Sequence, residues 1–329
     1  MKKVLVVGGA GYIGSVVSNY FIDKKIELYS IDSLVNGYSR LIPKKVKFIK
    51  SDVANVDKIS EVLKKNNFDI IIYLAAFTNL RESLKFKNKY INNNFKKFKK
   101  FIYLCSKYKQ KNIIFSSTAA VYNQNKSGVH NEKSKIKSNN GYGYSKILCE
   151  RFLINNFKKL KINFIILRYF NVAGADSKMR SGQISASSTH LIKILGEVIT
   201  GKKDIIEIYG QDYKTPDGTA IRDYIHVSDL ADIHVRVAEC LLKNLQSNIF
   251  NCGYGYGYSV LDVINTANKL YNNSINYKFT SRRDGDVAEL VADVSKLPKY
   301  IDWTPKFNDL ETIIKSSVEW EKKLNEKNF

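Results

Sequence analysis

A short apolar run at residues 4–7, VLVV, stops at once on the string GGAGYIG over residues 8–14. This junction constrains the fold more than any other feature. The run suits a strand buried on both faces, and the glycines behind it permit a tight turn and a close approach of backbone. The string satisfies G-x-G-x-x-G through Gly9, Gly11 and Gly14, and G-x-x-G-x-x-G through Gly8, Gly11 and Gly14. A helical segment follows. Glycine turns alone are common, but strand, glycine turn and helix in this order aim free helix N–H groups at an anion, which reads as a cradle for a pyrophosphate. Asp32 ends the next apolar run, about 20 residues on. A carboxylate there accepts from adenosine ribose hydroxyls and repels a 2′-phosphate, which favours NAD over NADP. Asp52 and Val53 follow a third run and stand where an adenine-side contact is expected.

Apolar runs at residues 4–7, 28–31, 48–49, 70–74, 113–115 and 164–167 alternate with segments of helical length. That alternation predicts a parallel sheet covered on both faces. The second half is less regular. Residues 179–188 read as a polar loop, 190–200 as a helix and 210–218 as turns, and GYGYGY at 253–258 is a short low-complexity string. Ser259 with Asp262 three residues on forms a capping-box pattern that opens a helix. The expected organisation is a nucleotide domain over 1–175, with segments of about 217–260 returning to it, and a smaller, mainly substrate-binding lobe over 176–329.

Composition narrows the class. Of 329 residues, 44% are hydrophobic, enough for a packed core rather than disorder. Cys105, Cys149, Cys240 and Cys252 form no C-x-x-C pair, which argues against a zinc site or disulfide framework and for a reducing cytoplasm. The apolar run after Met1-Lys2-Lys3 is too short for a secretory segment, and no run approaches the ~20 residues that span a bilayer. The net charge of +22 invites an anionic partner such as nucleic acid. The lysines are spread along the chain, so general Lys, Asn and Ile usage accounts for the charge better. The densest stretch, residues 85–111, carries Phe86, Tyr90, Phe95, Phe98, Ile102 and Cys105 at mostly three- and four-residue steps, the spacing of an amphipathic helix with a solvated basic face.

Two further elements carry chemistry. In YGYSK, Tyr142 and Lys146 are four apart and share one helix face. A free phenol, with a pKa of ~10, is a poor base at neutral pH. A nearby ammonium and a bound nicotinamide cation would both favour the phenolate, and a three-unit shift requires roughly 4 kcal/mol. SSTAAVY at residues 116–122 follows the fifth run, where parallel strands present their carboxyl ends to ligands. Thr118 can there offer a hydroxyl to the substrate oxygen that exchanges a proton.

With GGAGYIGS, SSTAAVY and YGYSK stand NNNF at 92–95, RYFNVAGA at 168–175, DGTAIRDYIHVSDLA at 217–231 and RRDGD at 282–286. Through these strings the chain resembles, over nearly its whole length, the extended short-chain dehydrogenase/reductase superfamily, and within it the nucleotide-sugar 4-epimerases of the UDP-glucose/UDP-galactose type. The resemblance implies an α/β fold, a Rossmann-type doubly wound parallel sheet with a smaller α/β substrate-binding lobe. It implies NAD as cofactor, no metal, no membrane and no nucleic acid, and a homodimer in which the helices carrying Asn94 and Tyr142 pair across a two-fold axis. Tyr142 corresponds to the catalytic base, Lys146 to its partner on the nicotinamide ribose, and Thr118 to the hydroxyl that shares the proton path. The implied cofactor pocket comprises Gly8, Gly11, Tyr12, Ile13, Gly14, Asp32, Asn36, Asp52, Val53, Leu74, Ala75, Ala76, Asn94, Ser116, Tyr142, Lys146 and Tyr169. The implied substrate site comprises Thr118, Tyr142, Asn171, His190, Leu191, Tyr209, Arg222, Arg283, Asp286 and Leu290, with the two arginines clamping the UDP phosphates. The implied reaction passes the 4-hydroxyl proton to Tyr142 and the C4 hydride to NAD, turns the 4-keto sugar over while UDP stays anchored, and returns hydride to the other face.

Departures from the family pattern are Val7 for a threonine, Thr78 for a lysine that reaches the cofactor phosphates in some members, and Leu290 for a tyrosine that narrows the sugar pocket. Thr78 bears on NAD retention. The shorter Leu290 leaves room for an N-acetylated sugar, so UDP-N-acetylglucosamine/N-acetylgalactosamine is an alternative substrate pair, and UDP-xylose/arabinose is another. A 4,6-dehydratase would need an acid and a base after Thr118, where Ala119 and Ala120 stand. A nucleic-acid-binding protein with a Rossmann core would not require the Tyr142, Lys146 and Thr118 set.

Overall fold

The computed structural model describes residues 1–125, 127–184, 188–272 and 275–326. Its centre is a seven-stranded sheet of β1 (Lys3–Val7), β2 (Glu27–Asp32), β3 (Lys47–Lys50), β4 (Ile70–Tyr73), β5 (Asn112–Thr118), β6 (Asn163–Tyr169) and β7 (Asn248–Cys252). The order is β7-β6-β5-β4-β1-β2-β3, and every pairing is parallel. The chain steps outward from β1 to β3 and then returns to β4 on the other side of β1. A crevice opens at that reversal, beyond the carboxyl ends of β1 and β4.

Alternation along the strands explains why the sheet is covered twice. Val4 and Val6 of β1 enter one core cluster, with Val16, Val17 and Phe21 of α1 (Tyr12–Asp23). Leu5 and Val7 enter the other, with residues of α2 (Val56–Lys65), α3 (Lys97–Lys107) and α4 (Gly141–Leu160). A strand that is apolar at every position satisfies both faces at once, whatever its register. β7 was not among the apolar runs read from sequence: NIFNC carries two asparagines, and Asn251 is buried because it bonds Tyr122 and the His130 carbonyl.

The remaining strands form smaller sheets. Val129–His130, Glu289–Ala292, Ile221–Arg222 and Tyr258–Ser259 make one, so the first half of the chain contributes to a sheet otherwise built from the last third. Ile206–Tyr209 pairs with Tyr277–Thr280, and Asn171–Ala173 with Tyr224–His226. The expected helix at 190–200 is α5 (Leu191–Ile199), with His190 and Thr200 as its caps. α6 (Val227–Leu242) packs beside α1 in the first cluster, and Ser259 and Asp262 form a complete capping box at the start of α7 (Val260–Tyr271). α8 (Leu310–Asn325) closes the described chain. Residues 185–187 of the expected loop at 179–188 lie outside the described residues, and the rest of it carries neither helix nor strand.

The stretch 85–111 is not one uniform helix. Helical turns at Leu80–Lys85 and Lys87–Tyr90 lead through a π-helical segment, Ile91–Lys96, into α3. Phe98, Ile102 and Cys105 are fully buried as the spacing predicts, whereas Phe86 sits at a break and is 56% exposed. The wider turn brings Asn94 to a buried position, which a reading of apolar spacing cannot foresee.

Two histidines hold the first core cluster to its surroundings in neutral form. His234 Nδ1 lies 2.8 Å from the Leu230 carbonyl and must donate to it, so Nε2 accepts from the Tyr169 hydroxyl at 2.7 Å. His226 Nδ1 accepts from Ser228 N–H at 3.1 Å, so its Nε2 donates to Ser316 Oγ at 3.0 Å. Burial pushes both imidazoles down to about 4. A depressed basic group binds fewer protons folded than unfolded. Its stabilisation is complete above the unfolded value of ~6.5 and is lost as pH falls towards the folded value. The melting temperature should therefore drop progressively between about pH 6.5 and 4, and His234→Gln should flatten that slope. A melting temperature level across this range would contradict the assignment.

Candidate active site

The crevice at the β1/β4 reversal is lined by backbone. Gly8 has φ +89°, in the left-handed region, and a Cβ there would lie 2.6 Å from the Ala75 nitrogen. A Cβ on Gly14 would lie 2.2 Å from the Gly8 carbonyl oxygen, so α1 packs directly on the turn. Gly11 is the N-cap of α1 and supplies no side-chain cap, and the first turn carries no acidic residue. The start of α1, with Tyr12, Ile13 and Gly14, is thus open to an anion. The Tyr12 hydroxyl donates to the Gly174 carbonyl at 2.6 Å and latches the helix start to the segment after β6. Asp32 accepts from Ala10 N–H at 3.0 Å and from Leu34 N–H at 2.8 Å, one bond per oxygen, leaving each oxygen further capacity for a ribose hydroxyl.

The other expected pocket residues are distributed unevenly. Asp52 receives the Lys97 ammonium at 2.5 Å and Ala54 N–H at 2.8 Å, and Val53 is buried in the second core cluster. Leu74, Ala75 and Ala76 run from the end of β4 along the crevice and are half-buried, while Asn36 and Thr78 are exposed. Asn94 is fully occupied: its amide exchanges bonds with Phe77 N–H and carbonyl at 2.8 and 3.0 Å and donates to Ser145 Oγ at 3.0 Å. It ties the segment after β4 to α4. Tyr169 pairs with Thr118 in the sheet register and sends its hydroxyl into the core, to His234.

α4 is positioned by close backbone contact. Asn140 caps it by accepting Gly143 N–H at 2.7 Å. Side chains at Gly141 or Gly143 would meet the Ser83 carbonyl oxygen at 2.7 Å or the Ala120 carbonyl oxygen at 2.4 Å. Tyr142 is thereby pressed between the loop after β4 and the end of β5, with the Thr118 hydroxyl as its hydrogen-bonding neighbour. Lys146 is buried, and its ammonium donates to the Ser116 carbonyl at 2.7 Å and to Ser116 Oγ at 3.3 Å.

Without the nicotinamide cation on which the expected acidification also draws, burial governs both groups. Burial pushes Tyr142 up to about 12, against a smaller opposing effect of the Thr118 hydroxyl. Burial pushes Lys146 down to about 8, against the acidic neighbours Cys149 and Glu150. The Lys146 ammonium keeps its charge while donating to the neutral Ser116 groups, and a nicotinamide cation would add to its pull towards the phenolate.

Beneath this trio lies a network that motif reading missed. Arg168 of β6 forms a two-pronged pair with Glu150 of α4, Nη2 to Oε2 at 2.6 Å and Nε to Oε1 at 3.0 Å, and both residues are buried. Ser117 donates to Glu150 at 2.5 Å, and Arg168 also donates to the Tyr122 hydroxyl at 3.1 Å. The network fixes α4 against β5 and β6 immediately behind Thr118 and Lys146. The only advance signal was a buried-strand arginine in RYFN.

Across the crevice, Asn171, His190 and Leu191 line one cleft with Tyr224 and Gln183. His190 stands exposed at the rim of this cleft, and partial desolvation by its neighbours, then the charge of Arg283, hold it below its ordinary value. Arg222 pairs with Asp286 at 2.5 Å. Arg283 lies 3.8 Å from the centroid of the Tyr209 ring, and its Nε is buried without a partner among the described residues. Arg282, its neighbour, instead turns outward to Asp212 at 2.7 Å. Leu290 packs on the cluster of Ala119, Ile147 and Phe170, the apolar wall beside Thr118. Among the described residues, no group of three or more His, Cys, Asp or Glu could hold a metal ion, and no helix is long and apolar enough to cross a membrane.

The sequence profile of the NAD dependent epimerase/dehydratase family matches residues 4–253. A UDP-glucose 4-epimerase of Azospirillum brasilense is 37% identical over 98% of this chain and 93% of its own length. A crystal structure of a UDP-glucose 4-epimerase superposes with a TM-score of 0.94 at 32% identity, covering 98% of each chain. The UDP-Glc/GlcNAc 4-epimerase of Campylobacter jejuni superposes with a TM-score of 0.85 at 37% identity, over 98% of this chain and all of that one.

Proposed function

The chain belongs to the NAD dependent epimerase/dehydratase family, and we propose from that membership and its site that it interconverts UDP-glucose and UDP-galactose by inverting C4. The observation that carries the reading is the Thr118 hydroxyl against the Tyr142 phenol, beside buried Lys146, at the carboxyl end of the central sheet. The glycine turn, the open start of α1 and the Asp32 carboxylate fit NAD, which when bound would supply the hydride acceptor and donor and a positive charge favouring the phenolate. Tyr142 Oη accepts the proton of the sugar 4-hydroxyl and returns it after the 4-keto sugar has turned over. Thr118 holds the same oxygen in line. Arg222 and Arg283 anchor the diphosphate while the sugar moves. Ala119 and Ala120 give no acid or base for water loss, so dehydration is disfavoured.

Leu290 and its apolar neighbours set the sugar pocket. The pairs UDP-N-acetylglucosamine/N-acetylgalactosamine and UDP-xylose/arabinose are therefore arms of the test rather than favoured readings. NAD-supplemented protein incubated separately with UDP-galactose, UDP-N-acetylgalactosamine and UDP-arabinose should convert the first into UDP-glucose fastest. Conversion of none would reject the function, and preference for either other sugar would reassign it.

The remaining site residues are proposed in the roles given under the family resemblance, within a nucleotide lobe of residues 1–175 plus about 217–260 and a substrate lobe mainly of 176–329. We also propose a cytoplasmic homodimer that takes no nucleic acid. Tyr103 of α3 and Ile154 of α4 are 46% and 42% exposed, an apolar pair on the two helices expected to meet a second copy. Sedimentation at micromolar concentration distinguishes this from a monomer, and a filter-binding salt series tests for nucleic-acid affinity.

A further inference from the structure

Arg81 lies on the short helix Leu80–Lys85 after β4, whereas Tyr209 ends the strand Ile206–Tyr209, outside the central sheet. The Arg81 guanidinium carbon nevertheless lies 4.5 Å from the centroid of the Tyr209 ring. Arg283 lies 3.8 Å from the same centroid. An aromatic ring attracts a cation to its face, but two guanidiniums gathered on one ring also repel each other. Two of the acids nearby are already engaged. Glu207 accepts the Tyr209 hydroxyl at 2.5 Å and pairs with Lys278 at 3.1 Å, and Asp286 pairs with Arg222. Arg283 Nε is buried without a partner among the described residues, so donor capacity is left over where two guanidiniums share one ring. After burial, the charge of Arg81 is the next cause that weakens protonation of Arg283. Such a surplus is relieved by a ligand with closely spaced anionic oxygens.

We propose that Arg81 is a third arginine of the substrate site, reaching across the crevice to take the diphosphate of the bound nucleotide sugar together with Arg222 and Arg283. This rests on the function proposed above and deepens it. Arg81 is thus an anchoring residue, and it also joins the segment that leaves β4 to the strand that holds Tyr209.

The test is calorimetric titration of UDP, UMP and uridine into the NAD-saturated protein and its Arg81→Ala and Arg81→Lys variants. Arg81→Ala should weaken UDP about 10-fold and leave uridine within about 2-fold, because the lost bonds are charge-assisted and directed at phosphate. Arg81→Lys should recover part of the loss, and KM for the UDP-sugar should rise with kcat little changed. Arg81 is exposed, so the variants should melt within about 2 °C of the parent. Unchanged UDP affinity would overturn the inference, as would equal losses for UDP and uridine, which would make Arg81 a prop for the Tyr209 ring. A parent protein that binds no UDP would instead remove the underlying function, and the inference with it.

Discussion

Tyr142→Phe should lower turnover of UDP-galactose by about 10³-fold or more while leaving UDP affinity within about 2-fold. The substitution deletes one oxygen from a side chain held by packing, so the crevice keeps its shape. What is lost is the phenol oxygen that meets the Thr118 hydroxyl at the carboxyl end of β5. Without it the 4-hydroxyl proton has no acceptor when the hydride leaves. The pH dependence gives an independent check. In the chain alone burial pushes this phenol up to about 12, so cofactor-free protein should show no Tyr142 phenolate near neutral pH. With NAD bound, the added positive charge should bring the ionisation down, and the rate should rise with pH through the new value. Comparing ultraviolet titrations of the parent and Tyr142→Phe, with and without NAD, reads this directly. A variant that keeps substantial activity would take the base away from Tyr142.

Glu150→Gln should destabilise the fold by about 3–5 kcal/mol, because it leaves the buried Arg168 guanidinium without its countercharge. The pair is inaccessible to water, with side-chain exposures of 3% and 0%, so solvent cannot take over the lost interaction. A melting-temperature fall of about 5–10 °C is expected. Replacing both partners by apolar residues of similar size should restore much of the loss, since the cost comes from the orphaned charge rather than from the absence of a pair. Because Ser117 and Lys146 flank the same carboxylate, Glu150→Gln should also reduce turnover through displacement of α4. A melting temperature within about 2 °C of the parent would show that the network contributes little.

The central sheet was legible because VLVV in β1, IIIY in β4 and the apolar runs within β5 and β6 suit a layer covered on both faces. The glycine turn was legible because Gly8 and Gly14 stand where a side chain would meet backbone within 3 Å. Tyr142, Lys146 and Thr118 could be named from strings in their correct context. β7 escaped notice because its buried asparagine is satisfied by Tyr122 and the His130 carbonyl, residues far away in the chain. The π-helical segment escaped because apolar spacing does not record one added residue in a turn. That Lys146 also donates to the Ser116 carbonyl was not legible, because the two residues lie 30 positions apart and meet only in the fold.

The sequence by itself determined the local choices: which runs become strands, where the helices begin, which backbone must be glycine, and which side chains carry acid–base chemistry. These follow from backbone sterics and from period, and both act over a few residues. Tertiary structure alone decided which distant groups meet, namely Arg168 with Glu150, Arg81 and Arg283 with Tyr209, and Lys146 with Ser116. Charge and burial at those meetings depend on what the fold brings within a few ångströms, and a linear pattern holds no measure of that distance.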